Sequence, residues 1–161
     1  MSYLAKECCI SQGKGSSKNG LPSFDKALLE AGVGNYNLVR LSSILPAKHV
    51  WVEVENITDY IEEGSLLPTA YSTITSNVAG DFLVSTIGVG IPVDDTKVGV
   101  IMEYSAKNIT EEAALDTLYS MIKEAFEVRG VELENIISTS ITDKVEQDGV
   151  NHTTFCCISE W

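Results

Sequence analysis

The sequence predicts an α+β fold, a single domain over residues 1–161 built as a sandwich of antiparallel sheets covered by helices. Three observations carry this. Most candidate elements are short alternating or β-branched runs such as Leu83-Val84-Ser85-Thr86-Ile87-Gly88-Val89. Only two segments have helical periodicity, 22–31 and 111–129, which suits helices laid over sheets. With 44% apolar and 21% charged residues, the chain has the composition of a globular domain large enough for a real core.

In chain order, residues 11–20 (Ser-Gln-Gly-Lys-Gly-Ser-Ser-Lys-Asn-Gly) read as a surface loop. Gly13-Lys14-Gly15-Ser16 lacks the first glycine and the preceding strand of a phosphate loop. Pro22 to Ala31 reads as a helix capped by Ser23. Phe24, Ala27, Leu28 and Ala31 share its apolar face, and Gly32 stops it. Asp25 falls in the first turn of that helix, where the dipole favours a carboxylate. Strands are expected at 36–41, 47–54, 67–76, 82–91, 97–104, 134–143 and 151–159. Gly88 and Gly90 mark a close backbone approach rather than a dinucleotide loop. The long helix 111–129 is capped by Asn108 or Thr110, has an apolar stripe through Leu115, Leu118, Ile122, Ala125 and Phe126, and ends at Gly130.

Eleven basic against 23 acidic residues give a net charge of −12. Nucleic-acid binding, which needs clustered Lys and Arg, is not expected. No apolar run approaches the ~20 residues of a membrane helix. The start, Met1-Ser2-Tyr3-Leu4-Ala5-Lys6-Glu7, lacks an apolar signal core, so a cytoplasmic protein is expected. Cys8-Cys9 and Cys156-Cys157 match no zinc pattern, and neighbours on a strand face opposite ways, so reduced, partly buried thiols and no metal are expected. His49 and His152 stand in no nucleophile or metal motif.

The chemistry concentrates in Asn37-Leu38-Val39-Arg40-Leu41-Ser42-Ser43-Ile44-Leu45-Pro46. A serine pair ends a β-branched run and is stopped by a proline, and the second hydroxyl lies beside the carbonyl of Ser42. With Gly34-Asn35-Tyr36 before it, the segment resembles the self-cleavage site of the pyruvoyl-dependent arginine decarboxylases. Phe24 to Gly32 is similar to that family's preceding helix, and Gly64-Ser65-Leu66-Leu67-Pro68-Thr69-Ala70-Tyr71 to its following segment. Ile101-Met102-Glu103-Tyr104 resembles its catalytic-glutamate strand, and Glu127-Val128-Arg129-Gly130 the end of its long helix. The ordered matches span roughly residues 22–145. Departures are Tyr36, bulkier than an aliphatic residue, and Ala47, where a second proline is expected.

The resemblance implies self-cleavage at Ser42–Ser43 into residues 1–42 (the beta chain) and 43–161 (the alpha chain), with Ser43 converted to a covalent pyruvoyl group. Decarboxylation leaves a carbanion at Cα, and that carbonyl is the electron sink pyridoxal phosphate supplies elsewhere. The resemblance assigns Asn37 to self-processing and Glu103 to returning the proton to Cα, a role that burial among Ile101, Met102 and Tyr104 would favour. It assigns Asp25 to the substrate guanidinium, with Gly34 and Tyr36 lining the same pocket. Arg40 is read as an outward strand residue. The implied function is decarboxylation of L-arginine to agmatine and CO2, in polyamine synthesis, by a trimer or dimer of trimers with the site between subunits. A pyruvoyl decarboxylase for another amino acid would share Ser43 and Glu103 but not the Asp25 role. An unprocessed, non-enzymatic relative acting as a binding or structural subunit would keep the core and remain one chain.

Overall fold

The computed structural model describes residues 3–161. Its elements are β1 (Glu7–Ser17), α1 (Gly20–Glu30), β2 (Asn37–Arg40), β3 (Ile44–Leu45), β4 (Val50–Trp51), a 3-10 helix (Val54–Asp59), β5 (Leu66–Ser76), β6 (Phe82–Pro92), β7 (Gly99–Lys107), α2 (Glu111–Arg129), β8 (Leu133–Lys144) and β9 (Asn151–Glu160). The strands form two sheets, ordered β2-β5-β9-β1-β4 and β3-β7-β6-β8. The class is α+β, as expected, and pairing is mostly antiparallel, but β1–β4 and β2–β5 run parallel.

Strand alternation sorts the apolar residues into separate layers. Cys8, Ala70, Ile87, Val89, Ile101, Cys156 and Ile158 pack together between the sheets. Cys9, Leu67, Phe155 and Cys157 pack instead with Ala27 and Ala31 of α1. Val100 joins Leu118, Ile122, Ala125 and Phe126 under α2. Each cysteine pair is thus divided between two layers. All four thiols are free and buried, and burial pushes Cys9 up to about 12 and Cys157 to about 11.

The largest departure from the sequence reading is the predicted loop at 11–20. Those residues are mostly β1, paired with β9 in unbroken register from Cys8↔Glu160 to Ser17↔Asn151. Its glycines are required by packing. A Cβ on Gly13 would stand 2.1 Å from the Ala27 carbonyl oxygen, and one on Gly15 2.4 Å from that of Ser23. The loop-like composition is the imprint of a helix pressed onto a strand. The helix also starts earlier than expected, with Asn19 as its N-cap residue. Ser23 is therefore internal and buried, its hydroxyl bonded to the Gly20 carbonyl and to Thr153 Oγ1 at 2.7 and 2.8 Å. Asp25 lies beyond the first turn, so the dipole explanation of its position does not apply.

Helix α2 has the bounds expected from its stripe. The Thr110 hydroxyl accepts from Ala113 N at 3.1 Å, and Gly130 closes the helix in the left-handed conformation. Asn108 does not cap the helix, because its side chain bonds Phe82 N and Asp81 instead. The predicted strand 47–54 is reduced to Val50–Trp51, and the chain then turns into the 3-10 helix.

Candidate active site

Strand β2 pairs with the start of β5 only, from Asn37↔Leu66 to Arg40↔Thr69, and among the described residues no strand pairs with the rest of that β5 edge. The chain then leaves the first sheet. Leu41 N still donates to Thr69 O at 3.0 Å, but the Ser43 carbonyl already accepts from Ile101 N of β7 at 2.8 Å. Residues 41–43 therefore form a short strap from one sheet to the other. Within it, the Ser43 hydroxyl donates to the Ser42 carbonyl oxygen. Ser42 is exposed and Ser43 half-buried.

Ile101, which anchors Ser43, is two residues from Glu103 on the same face of β7, about 7 Å along a strand. That face looks toward the first sheet, since Ile101 is in the inter-sheet core and Ser105 Oγ donates to Thr73 O at 3.1 Å. Glu103, Tyr104 and Ser105 line a cleft of about 200 Å³ with Arg40, Ser72 and Thr73. The Glu103 side chain is 29% exposed and forms an ion pair with Arg40. The apolar burial expected for Glu103 is not what surrounds it: Met102 packs under α2, and the carboxylate faces a guanidinium.

Arg40 is the residue that the sequence reading missed. Alternation and exposure suggest a solvent-facing position, yet its guanidinium also donates to Tyr71 O at 3.1 Å and lies 4.4 Å above the Tyr71 ring centroid. The hydrogen bond to Glu103 is the main cause that raises its pKa above the ordinary arginine value. No local signal in the sequence places Arg40 against a residue on the other sheet.

The other predicted residues are not gathered here within one chain. Asn37 Nδ2 donates to Gly64 O at 2.7 Å, on the loop before β5. Gly34 and Tyr36 line a separate recess with Leu29, Val54, Ile57 and Glu63. The Tyr36 ring is buried in the helix-side core, which absorbs its extra bulk. Asp25 is exposed on α1 and holds no ion pair among the described residues. Among those residues no group of three or more His, Cys, Asp or Glu is arranged to hold a metal, and no helix is long and apolar enough to cross a membrane.

The family described as pyruvoyl-dependent arginine decarboxylase matches residues 7–159. Proteins of that name are similar over most of the chain. The one from Methanococcus aeolicus is 42% identical over 149 residues, 92% of this chain and 86% of its own length. The one from Methanocaldococcus jannaschii is 42% identical over 149 residues, 91% and 87% of the two chains. The one from Pyrococcus abyssi is 41% identical over 126 residues, 77% of each.

Proposed function

The chain belongs to the pyruvoyl-dependent arginine decarboxylase family, and on that premise we propose that it cleaves itself between Ser42 and Ser43 and then decarboxylates L-arginine to agmatine and CO2. It is a carboxy-lyase with a covalent pyruvoyl group, and agmatine feeds polyamine synthesis.

The observation that carries the reading is the Ser43 hydroxyl held on the Ser42 carbonyl, inside a strap anchored at both ends. Ser43 Oγ adds to the Ser42 carbonyl carbon and the peptide nitrogen leaves as the amine of residue 43, giving an ester. Loss of the residue 43 Cα proton then expels the Ser42 carboxylate and leaves a Cα–Cβ double bond. Water replaces the nitrogen, releasing ammonia and leaving a ketone at the start of residues 43–161. The site fits that group: the hydroxyl is in place, and Glu103 stands two residues past the anchor of Ser43. The pyruvoyl carbonyl supplies the sink for the electron pair left at the substrate Cα.

Glu103 then delivers the proton to that carbon from its carboxyl group. Asn37 supports the self-cleavage as an amide donor. Asp25 pairs with the substrate guanidinium, beside Gly34 and Tyr36. A single chain keeps these last three apart from the Ser43 cleft, and this favours a site shared between subunits of a trimer or dimer of trimers. The helices and sheets stack as the family's sandwich. Four buried thiols, none in a disulfide, suit a reducing cytoplasm.

The test is the intact mass of the purified protein. Two pieces are expected, residues 1–42 and residues 43–161, the second blocked at its N-terminus. Ser43→Ala should remain whole and inactive. A single uncleaved chain with full activity on arginine would overturn the proposal.

A further inference from the structure

We propose that Arg40 is a positioning residue for the decarboxylation, holding the Glu103 carboxylate at the reaction centre from the other side of the cleavage point. The inference rests on the reading of Glu103 as the proton donor. Arg40 stands three residues ahead of Ser43, at the end of β2, and remains with residues 1–42 after cleavage. Among the described residues, every group its guanidinium hydrogen-bonds or stacks on belongs to residues 43–161. Nη2 meets the Glu103 carboxylate and the Tyr71 carbonyl, and the planar group lies over the Tyr71 ring.

A lone exposed ion pair contributes little and fixes little. This one differs in three ways. The Tyr71 carbonyl is on the stretch of the β5 edge beyond β2, so Arg40 occupies a backbone acceptor that β2 is too short to reach. Stacking on Tyr71 limits the rotamers of a long side chain, and only a planar guanidinium combines stacking with forked donation. Among the described residues, Arg40 is also the sole hydrogen-bond partner of the Glu103 carboxylate. Glu103 is 29% exposed at the mouth of a cleft. Without Arg40 its side chain is free to turn to solvent. Both products of the cleavage then contribute to one catalytic arrangement: the rear piece carries the acid, and the front piece aims it.

The experiment is a double-variant cycle on the full chain, joined to a structural readout. Arg40→Gln should cleave itself normally, because Glu103 is not needed for processing. Its kcat should fall by about tenfold or more while the arginine KM changes by less than about threefold, the pattern of a lost transition-state contact. Arg40→Lys should recover part of the rate. In a Glu103→Gln background, Arg40→Gln should add no more than about twofold, because the two residues act as one unit. Crystal structures of the Ser43→Ala chain with and without Arg40→Gln should show the Glu103 side chain leaving the cleft when Arg40 is removed. Unchanged kcat in Arg40→Gln, losses that multiply in the double variant, or an unmoved Glu103 would each overturn the inference while leaving the acid assignment standing. Near-normal turnover by Glu103→Gln alone is a separate result, and it would remove the acid and the inference with it.

Discussion

Leu41 and Ser43 are two residues apart, yet they hydrogen-bond to different sheets: Leu41 N to Thr69 O at 3.0 Å, and Ile101 N to Ser43 O at 2.8 Å. The bond proposed to break lies inside that crossing, and each side of it is independently held. On the front side, β1 pairs with β9 and β2 with β5; on the rear side, β3 pairs with β7. Cleavage there would cut a strap and leave both sheets intact. Residues 1–42 and 43–161 should co-elute from a native size-exclusion column and separate only in denaturant. Release of the front piece under native conditions would contradict this arrangement.

Processing and turnover should separate by residue. With Glu103 as the proposed proton donor, Glu103→Gln should cleave yet lose about a hundredfold or more in kcat, the range typical of general acids. With Asn37 in the proposed processing role, Asn37→Ala should slow cleavage, followed by mass against time, more than it affects the turnover of the cleaved fraction. Its bond to Gly64 O fixes the amide on the loop before β5. Reversal of the two phenotypes would exchange the roles.

Much of this was legible in the sequence, for physical reasons that differ by element. Helix α2 declares itself through a five-residue stripe, a threonine cap and a closing glycine, all local signals. Strands β6 and β9 alternate visibly. Strand β1 was hidden because its glycines answer to residues of α1 eight or more positions downstream, and glycine-rich composition mimics a loop. The serine pair stands out in the sequence because the chemistry proposed for it is local: the Ser43 hydroxyl and the Ser42 carbonyl it bonds are neighbours in the chain. The pairing of Arg40 with Glu103 spans 63 residues and two sheets, and nothing local reports it. The burial imagined around Glu103 failed for a related reason, since alternation sends Met102 to the opposite face.

Substrate selection should depend on Asp25. A carboxylate opposite a guanidinium forms two parallel charge-assisted hydrogen bonds, each worth roughly 1.5–3 kcal/mol. Lysine and ornithine offer only a point charge there. Asp25 is exposed and unpaired with any base among the described residues, so its carboxylate is free for such a contact. Asp25→Asn should raise the arginine KM by at least about tenfold, narrow the preference for arginine over lysine, and leave self-cleavage unchanged. Kinetics on arginine, lysine, ornithine and histidine decide it; an unaltered arginine KM removes Asp25 from the site.

The β1–α1 contact should be intolerant of a single methyl group. A Cβ on Gly13 meets backbone on two sides, the Ala27 oxygen at 2.1 Å and Ala31 N at 2.5 Å, with no flexible side chain to yield. Gly13→Ala must push the helix off the sheet, at a cost of about 1–3 kcal/mol or more. At Gly64, where a Cβ would meet nothing within 4 Å, crowding is absent and the left-handed backbone alone opposes substitution. Urea unfolding in the uncleaved Ser43→Ala chain should show a lower midpoint for Gly13→Ala; an unchanged midpoint would refute the close packing.

Glu160 should make the stability of the fold depend on pH. It lies beside Cys8 on β9, 5% exposed, and among the described residues its Oε1 is buried with no hydrogen-bond partner. Burial raises its pKa to about 7 from the usual 4.5. Between those values the folded chain keeps a proton that the unfolded chain releases, so folding is weakened as pH rises through that window and stays weakened above it. The effect of this one group is on the order of 3 kcal/mol. Glu160→Gln cannot ionise, so its stability relative to the parent should increase from about pH 4.5 to pH 8. Urea unfolding of the Ser43→Ala chain with and without Glu160→Gln, at fixed protein concentration, measures the difference. A gap between the two that is flat with pH would show that Glu160 ionises as freely in the folded chain as in the unfolded one.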